Sequence, residues 1–538
     1  MTRKAYEVAA VRAAEAVVLA RVPEGALMQR AAAGLAVACA RVLRARRGRV
    51  TGARVVLLVG AGNNGGDALW AGARLAGRGA QVDAVLLAPS VHEAGLAALR
   101  GAGGRALPVA PSDGPPGAPS DGRSDHEGRR RAVALLAAAD LVVDGIVGLG
   151  GSPGLREPAA GLVAGLDALS PRPAVVAVDL PSGVDADGGT TPALHVRADL
   201  TVTFGAAKPC LLVGPAARAA GVVEVVDLGL GPHLPPVAAV ERLTTAGAAA
   251  LWPVPGPDAD KYSRGVVGVI AGSAIDTGAA VLATGGALRA GAGMVRYVGP
   301  DHPTERVRAR WPEAVTGAGR VQAWALGSGV DPDAGLDGAP DDGQPAAVRS
   351  ALAEAAGQNL PAVVDAGALV LLSRPDTRAL AGPHLLLTPH AGELARLLGA
   401  WGEGDVARAD VEARPLEHVR RAAALTGATV LLKGSITLVA HPDGRVRAQA
   451  DAPGWLATAG AGDVLAGIAG TLLAAGLDPL DAGSLAALVH GRAATLAAGG
   501  GGPIVAGGGG PIVADDVIGA LPAAVAALLN GAAAPVRH

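Results

Sequence analysis

The chain has 538 residues, more than one ordinary domain needs at roughly 150 residues per domain. Lys and Arg number 46 against 48 Asp and Glu, which removes the electrostatic case for nucleic acid or an acidic membrane surface. Half of the residues are apolar but only 2% are aromatic, with 80 Gly and 39 Pro, so wholesale disorder is excluded and the core must be Ala, Val, Leu and Ile with backbones packed close.

Residues 1–25 are interrupted by Glu7, Arg12 and Glu15 and make no signal-like apolar core. Cys39 and Cys210 cannot build a disulfide framework and have no His at metal spacing, so a reducing cytoplasm is the expected compartment. Strands are predicted at Arg54–Gly60, Val82–Leu87, Leu141–Gly145, Ala174–Asp179 and Leu200–Phe204, alternating with helical stretches. Such nearly continuous apolar runs belong to parallel strands covered on both faces. Pro111–Arg131 is polar, rich in Pro, Gly and Asp and without apolar periodicity, which reads as a surface loop. A second break, Gly229–Pro257, surrounds a short helical pattern (VAAVERLTTAGAAALW), and a domain boundary is expected near Pro236. The strand pattern resumes at Val266–Ala271, Val321–Leu326, Ala362–Asp365, His384–Thr388 and Thr429–Leu432. GGGGPIVA occupies 499–506 and recurs at 507–514, reading as a slippage duplication in a surface loop before a last helix, Asp515–Leu529. Ala493–Ala514, rich in Gly and with two Pro, would make a poor membrane helix. The expected fold class is α/β in both halves.

The sharpest signal in the first half is GAGNNGGD, Gly60–Asp67, between a strand and a helical run. Glycines there let backbone N–H groups approach an anion at a helix N-terminus. The spacing is not GxGxxG and no acidic residue closes the next strand, so the ordinary dinucleotide fingerprint fits badly. LVVDGIVGLGGSPG ends a strand at Asp144 and runs into the glycine loop Gly148–Gly154, and VVAVDLPSGVDADGG puts Asp179 and Ser182 at another strand end. Ligands of open α/β sheets sit beyond the carboxyl ends of the strands. Asn64, Asp144 and Ser182 could converge there with only hard oxygen donors, which suits an alkali or alkaline-earth cation rather than zinc. Each alone is an ordinary turn former, but their recurrence at successive strand ends makes coincidence a poor account.

NNGGD, VVDGIVGLG, DLPSGVDADGG and TFGAAKP, in that order, resemble the NAD(P)HX epimerases over about residues 1–230. The resemblance implies a Rossmann-like domain that binds the hydrated nicotinamide dinucleotide. The implied contacts are Asn63, Asn64, Gly65, Gly66 and Asp67, then Gly148, Leu149, Gly150, Gly151, Ser152, Pro153 and Gly154, and finally Asp179. It also implies K+ held by Asn64, Asp144 and Ser182. Asp179 is the candidate catalytic carboxylate that moves a proton at C6 of the ring. Ala68 departs from the family's usual Gly, which is tolerable unless φ must be positive there.

In the second half the signal is ATAGAGDVLAGIAG, Ala457–Gly470. Gly460 and Gly462 open a helix with Asp463 in its first turn. That is an anion hole beside a carboxylate able to act as general base on a hydroxyl approaching a phosphate. TVLLKGSITLV places Lys433 and Gly434 between two strands, LLLTPHAGELARLL sets His390 and Glu393 at a strand-to-helix junction, and YSRGVVGVIAGS supplies another glycine-rich strand end. This set resembles the ribokinase-like NAD(P)H-hydrate dehydratases over about residues 240–530. The resemblance implies contacts to ADP or ATP, accompanied by Mg2+, at Lys433, Gly434, Ser435, Ile436, Thr437 and Gly462. It implies hydrate contacts at Ala279 or its neighbour, Gly329, His390 and Asp463, the last as catalytic base. The family's DADALN reads DAGALV here, so Gly367 and Val370 replace an Asp and an Asn.

The two resemblances together imply a bifunctional epimerase and dehydratase. It would equilibrate R- and S-NADHX or NADPHX and return the S form to NAD(P)H with cleavage of ADP or ATP. Its partners would be those small molecules rather than nucleic acid or a membrane, with a homo-oligomer left open. The rival is a ribokinase-type small-molecule kinase with a fused ligand-binding domain. A third reading is a non-catalytic scaffold, since fold alone assigns no function. Asp179 beside a full set of cation ligands argues against the scaffold.

Overall fold

The computed structural model describes residues 2–109, 122–151, 153–336, 341–499 and 509–533. Its contacts divide the chain into two units, Lys4–Ala239 and Val240–His538, the latter joined by Met1–Arg3. Strand β1 (Thr2–Ala5) edges the sheet of the second unit.

The first unit is built on seven parallel strands: β2 (Arg54–Val59), β3 (Gln81–Leu86), β4 (Arg105–Pro108), β5 (Leu141–Gly145), β6 (Ala174–Val178), β7 (Leu200–Phe204) and β8 (Val222–Val226). They lie in the order β4-β3-β2-β5-β6-β7-β8. Strand β2 shows why a continuous apolar run is needed. Val55, Leu57 and Val59 join one core with helices Ala26–Arg47 and Asn63–Ala76, while Val56 and Leu58 join a second core with helix Ala159–Asp167. The strand order reverses between β2 and β5, whose last residues Val59 and Gly145 are paired. A crevice therefore opens beyond their carboxyl ends.

The second unit carries β9 (Val240–Leu243), β10 (Val266–Ile270), β11 (Met294–Tyr297), β12 (Val315–Thr316), β13 (Ala323–Leu326), β14 (Ala362–Val364), β15 (Leu385–Leu387), β16 (Thr429–Leu432), β17 (Thr437–Ala440) and β18 (Val446–Gln449). Strands β10 to β16 pair in parallel, then β17 and β18 turn antiparallel and β9 closes parallel to β18. Helices Thr277–Arg289 and Ala461–Ala474 pack together over the sheet and meet at glycine. A Cβ on Gly467 would fall 2.1 Å from the Ala283 carbonyl oxygen, and one on Gly286 would fall 2.5 Å from that of Val464. Backbone contact of this kind is how an aromatic-poor sequence fills its core.

The predicted strands agree with the observed ones to within two residues at each end. Three expectations are corrected. Residues 122–131 of the expected loop are helical, the first part of Gly122–Ala137, in which Ala132 and Leu136 are buried, and the sequence GRSDHEGRRR before them shows no apolar period. The helical pattern at 237–252 is two elements, strand β9 and helix Thr245–Leu251. Thr244 separates them by accepting the Gly247 N–H on its hydroxyl at 3.1 Å. The last helix runs Ala514–Ala533, with Pro522 inside it. Most of the expected loop and most of the duplication, 110–121 and 500–508, lie outside the described residues. Helices Ala26–Arg47 and Ala514–Gly531 are long and apolar enough to cross a membrane by length and composition, but Leu35 and Leu43 of the first and Leu521 and Leu528 of the second are core residues. Of the six tryptophans, Trp70 lies in the first unit and Trp252, Trp311, Trp324, Trp401 and Trp455 in the second.

Candidate functional site

In the first unit a cavity of about 710 Å³ opens at the crevice, walled by Asn63, Asn64 and Asp67, by Gly148–Gly151 and by Asp179. The loop after β2 turns into a helix at Asn63, and its glycines are there because the backbones touch. A Cβ on Gly65 would fall 2.2 Å from the Gly60 carbonyl oxygen, and one on Gly148 would fall 2.2 Å from Asn64 Oδ1. Gly65 and Gly66 are buried behind the wall rather than on it. Pro153 and Gly154 are also off this wall. Gly154 instead lines a neighbouring hollow of about 420 Å³ with Gly60, Gly150 and Gly151. Ser152 lies outside the described residues. Ala68 is helical and fully buried, and its φ is not positive, so the departure from Gly is accommodated.

Asp179 closes β6 with φ +66°, a left-handed conformation that costs a non-glycine residue about 1–3 kcal/mol. Its carboxylate explains what holds it there. Oδ1 accepts the Lys208 ammonium at 2.5 Å and the Thr203 hydroxyl at 3.0 Å, and Lys208 is itself 1% exposed. Arg12 donates to the Leu149 carbonyl at 2.8 Å, tying the second glycine loop to the first helix of the unit, Val8–Leu19. From that helix Glu15 also reaches the cavity. Burial raises the Glu15 pKa, with Asp179 adding to the rise and Lys208 and Arg12 opposing it.

Asn64, Asp144 and Ser182 are brought together beneath the wall. Ser182 donates its hydroxyl to Asp144 Oδ1 at 2.6 Å and its N–H to Oδ2 at 2.8 Å, and the Ile146 N–H reaches Oδ1 at 3.3 Å. Burial pushes the Asp144 pKa up to about 6 against the pull of those bonds. Asn64 donates its amide to the Val178 carbonyl at 2.6 Å, which leaves Oδ1 facing Gly148. A buried carboxylate with only neutral donors, beside amide and hydroxyl oxygens, is a donor set that fits a hard monovalent cation.

In the second unit Gly460 adopts φ +83° and caps helix Ala461–Ala474, placing Asp463 in its first turn. Asp365, at the end of β14 and 2% exposed, is the hub. Its Oδ1 accepts Lys433 Nζ at 2.7 Å and the Thr388 hydroxyl at 2.8 Å, and its Oδ2 accepts the Ser328 hydroxyl at 3.0 Å. A Cβ on Gly462 would stand 3.5 Å from Lys433 Nζ, so the helix start, the lysine and Asp365 converge. Burial acts against the Lys433 charge, but Asp365 and Glu393 outweigh it and its pKa is raised. The Asp463 pKa is pushed up to about 7, first by burial and then by Asp365 and Asp276, with Lys433 and the Ser328 hydroxyl opposing.

Ala279 and Gly329 are neighbours, since a Cβ on Gly329 would fall 2.5 Å from that of Ala279 and 3.1 Å from Asp276 Oδ2. His390 caps helix Ala391–Leu398, its Nδ1 accepting the N–H groups of Gly392 and Glu393 at 3.0 and 3.2 Å. Its backbone bridges to Lys433, which sets it beside the lysine loop. In that loop Gly434 and Ser435 are exposed and Ile436 and Thr437 partly buried, while the Lys433 ammonium turns inward. Gly367 admits no side chain on this backbone, because a Cβ would fall 2.1 Å from the Val330 carbonyl oxygen, and Val370 is on the outer side of its helix at 37% exposure.

Sequence reasoning missed Arg12, Glu15, Lys208, Asp276, Ser328 and Asp365 as site residues. Asp365 ends a buried strand as Asp144 and Asp179 do, and Lys208 stands in the TFGAAKP motif, so both carried a usable signal. Glu15 and Arg12 sit in an ordinary amphipathic helix and carried none.

Carboxylates beyond the ends of parallel strands, each set beside a glycine-rich helix start, define a two-unit α/β enzyme. Residues 24–210 match the family model of the YjeF-related protein N-terminus, and residues 267–506 match that of NAD(P)H-hydrate dehydratase. The bifunctional NAD(P)H-hydrate repair enzyme Nnr of Mycobacterium tuberculosis is 44% identical over 475 residues, covering 87% of this chain and 88% of that protein. The NAD(P)H-hydrate epimerase of Microbacterium testaceum is 45% identical over 234 residues, covering 43% of this chain and 80% of that protein. Among solved structures, the ADP/ATP-dependent NAD(P)H-hydrate dehydratase from Bacillus subtilis, co-crystallised with ATP/Mg2+, covers 53% of this chain and 98% of its own at 25% identity and a TM-score of 0.45. The chain belongs to the family of bifunctional NAD(P)H-hydrate repair enzymes.

Proposed function

We propose that this chain repairs hydrated NADH and NADPH in two steps divided between its halves. Residues 1–230 interconvert the R and S hydrates, and residues 240–530 dehydrate the S hydrate with cleavage of ADP or ATP. The observation that carries this reading is a pair of different acid–base settings. Asp179 is locked against Lys208 on a cavity wall, and Asp463 sits at a helix start among glycine amides.

Dehydration is the harder step because hydroxide leaves poorly. Asp463 deprotonates the C6 hydroxyl, which attacks the terminal phosphorus of the nucleotide. The amides at Gly460–Gly462 face the transferring group. Phosphate then leaves C6 as a C5 proton is lost, which closes the C5=C6 double bond of the reduced ring. Lys433–Thr437 and Gly462 hold the nucleotide, and Ala279, Gly329 and His390 the hydrate. Mg2+ would neutralise phosphate charge when bound with the nucleotide. In the first unit Asp179 moves the proton at C6, the loops Asn63–Asp67 and 148–154 bind the hydrate, and Asn64, Asp144 and Ser182 would hold K+, which supplies positive charge under the glycine loop. The balanced charge and reduced cysteines support a cytoplasmic protein whose partners are these small molecules.

Incubation with mixed R and S hydrates, with and without ADP or ATP, tests the reading. Complete recovery of the reduced-nicotinamide absorbance, dependent on nucleotide, is expected. Nucleotide cleavage driven by an unrelated hydroxylated small molecule, with indifference to both hydrates, would establish the kinase rival.

A further inference from the structure

Beside Asp179, the wall of the first cavity carries the carboxyl groups of Asp67, Glu15 and Glu24. Inverting C6 by water exchange, rather than by opening the ring, has an oxygen leave one face and another arrive on the opposite face. The departing hydroxyl needs a proton while the arriving water must lose one, and a single carboxylate serves one of these at a time. Asp67 is 5% exposed, lines the same cavity of about 710 Å³ as Asp179, and its Oδ1 has no hydrogen-bond partner among the described residues. An unpartnered buried carboxyl oxygen on a cavity wall is costly and rare, and it is explained by a group that arrives with the ligand.

Resting on the epimerase reading of this unit, we propose that Asp67 is a catalytic acid–base residue of epimerisation, paired with Asp179 across C6 so that the two carboxyls share one proton. Asp179 is held by Lys208 and Thr203, whereas Asp67 Oδ1 has no donor among the described residues. The charged and titratable groups around Asp67 are Asp179 and Glu15, Glu24, Arg12 and His92 on the cavity wall, and Lys208 behind Asp179. Burial, then the negative charges of Asp179 and Glu15, raise the Asp67 pKa well above the usual carboxylate range. The protonated carboxyl gives its proton to the C6 hydroxyl, the C6–O bond breaks, water departs, and the N1 lone pair closes an N1=C6 double bond. Water then adds to C6 from the other face, the double-bond electrons return to N1, and the second carboxylate takes the surplus proton. The product has the same atoms with C6 inverted, the proton has crossed from one carboxyl to the other, and the opposite epimer runs the pair in reverse.

The test uses the full chain with purified R hydrate and no nucleotide, following conversion to S by chromatography. Asp67→Asn should slow interconversion at least about 100-fold in both directions, and Asp67→Glu should recover part of it. Wild-type epimerisation should decline as pH rises through the raised Asp67 ionisation, and Asp67→Asn should lose that limb. In 18O-labelled water each wild-type inversion should place label on C6. Asp67→Asn within a few-fold of wild type, with its pH limb intact, would overturn the proposal. Inversion that retains the original oxygen would overturn it too, and that experiment needs no variant to fold. A wild-type protein no faster than the spontaneous interconversion would instead sink the epimerase reading.

Discussion

As the proposed base, Asp463 pairs a half-buried carboxyl with a demand that it be ionised, and the two requirements set its pH behaviour. With a pKa of about 7, dehydration of the S hydrate should climb with pH to about 7 and then level. A rate flat from about pH 5 to about pH 8 would move the base elsewhere. The same shift acts on stability. The folded state holds this proton between about pH 4, the ordinary Asp value, and about pH 7, so stability falls as pH rises through that window and the penalty is complete above it. Asp463→Asn, neutral throughout, should therefore raise Tm at about pH 8, leave it nearly unchanged at about pH 4, and abolish dehydration. Asp463 was legible because two glycines and an acid at a helix start form a pattern that chemistry explains. Asp365, at the end of a buried strand, carried a signal of the same kind as Asp144 and Asp179, whereas Asp276 carried none, because what matters about it is proximity to Gly329 and Asp463, which linear spacing does not show.

The helix that carries Asp463 is seated by Gly467, four residues further on. Gly467→Ala would put a methyl carbon 2.1 Å from the Ala283 carbonyl oxygen and 2.7 Å from the Ala287 nitrogen, so one helix must lift. The expected result is a loss of about 1–3 kcal/mol or more, read by thermal or denaturant unfolding, with a fall in dehydration because Asp463 moves with its helix. Gly519→Ala, on the last helix with open space around it, is the control and should be neutral or stabilising by up to about 1 kcal/mol. At this scale the central strands were readable, since burial on both faces writes an unbroken apolar run. The edge strands β4 and β8 were not. Their faces are half exposed, as in the pattern of Val222–Val226, and their composition mixes with that of the flanking turns.

Each half of the chain has its own sheet and, on the proposed function, its own acid–base residue, so the two reactions should be separable by mutation in the whole protein. Asp179→Asn should stop epimerisation and leave S-hydrate dehydration intact, and Asp463→Asn should do the reverse. Neither variant alone should clear a mixture of epimers in the presence of nucleotide. Mixing the two should, because the hydrate is a diffusible intermediate. Failure of the mixture, with each remaining single activity confirmed, would mean the hydrate passes between sites without release.

The uneven placement of the tryptophans makes the protein spectrally lopsided. Reduced nicotinamide absorbs where tryptophan emits, and its hydrate does not. The second unit, which matches the dehydratase family model, holds five of the six donors, and the first unit holds Trp70, on the helix that begins at Asn63. Energy transfer from protein to nicotinamide should therefore report the dehydration in real time, and Trp70→Phe, which keeps five of the six donors, should preserve most of that signal. Emission from Trp70, isolated by replacing the other five, becomes a probe of the helix that begins at Asn63 in the first unit.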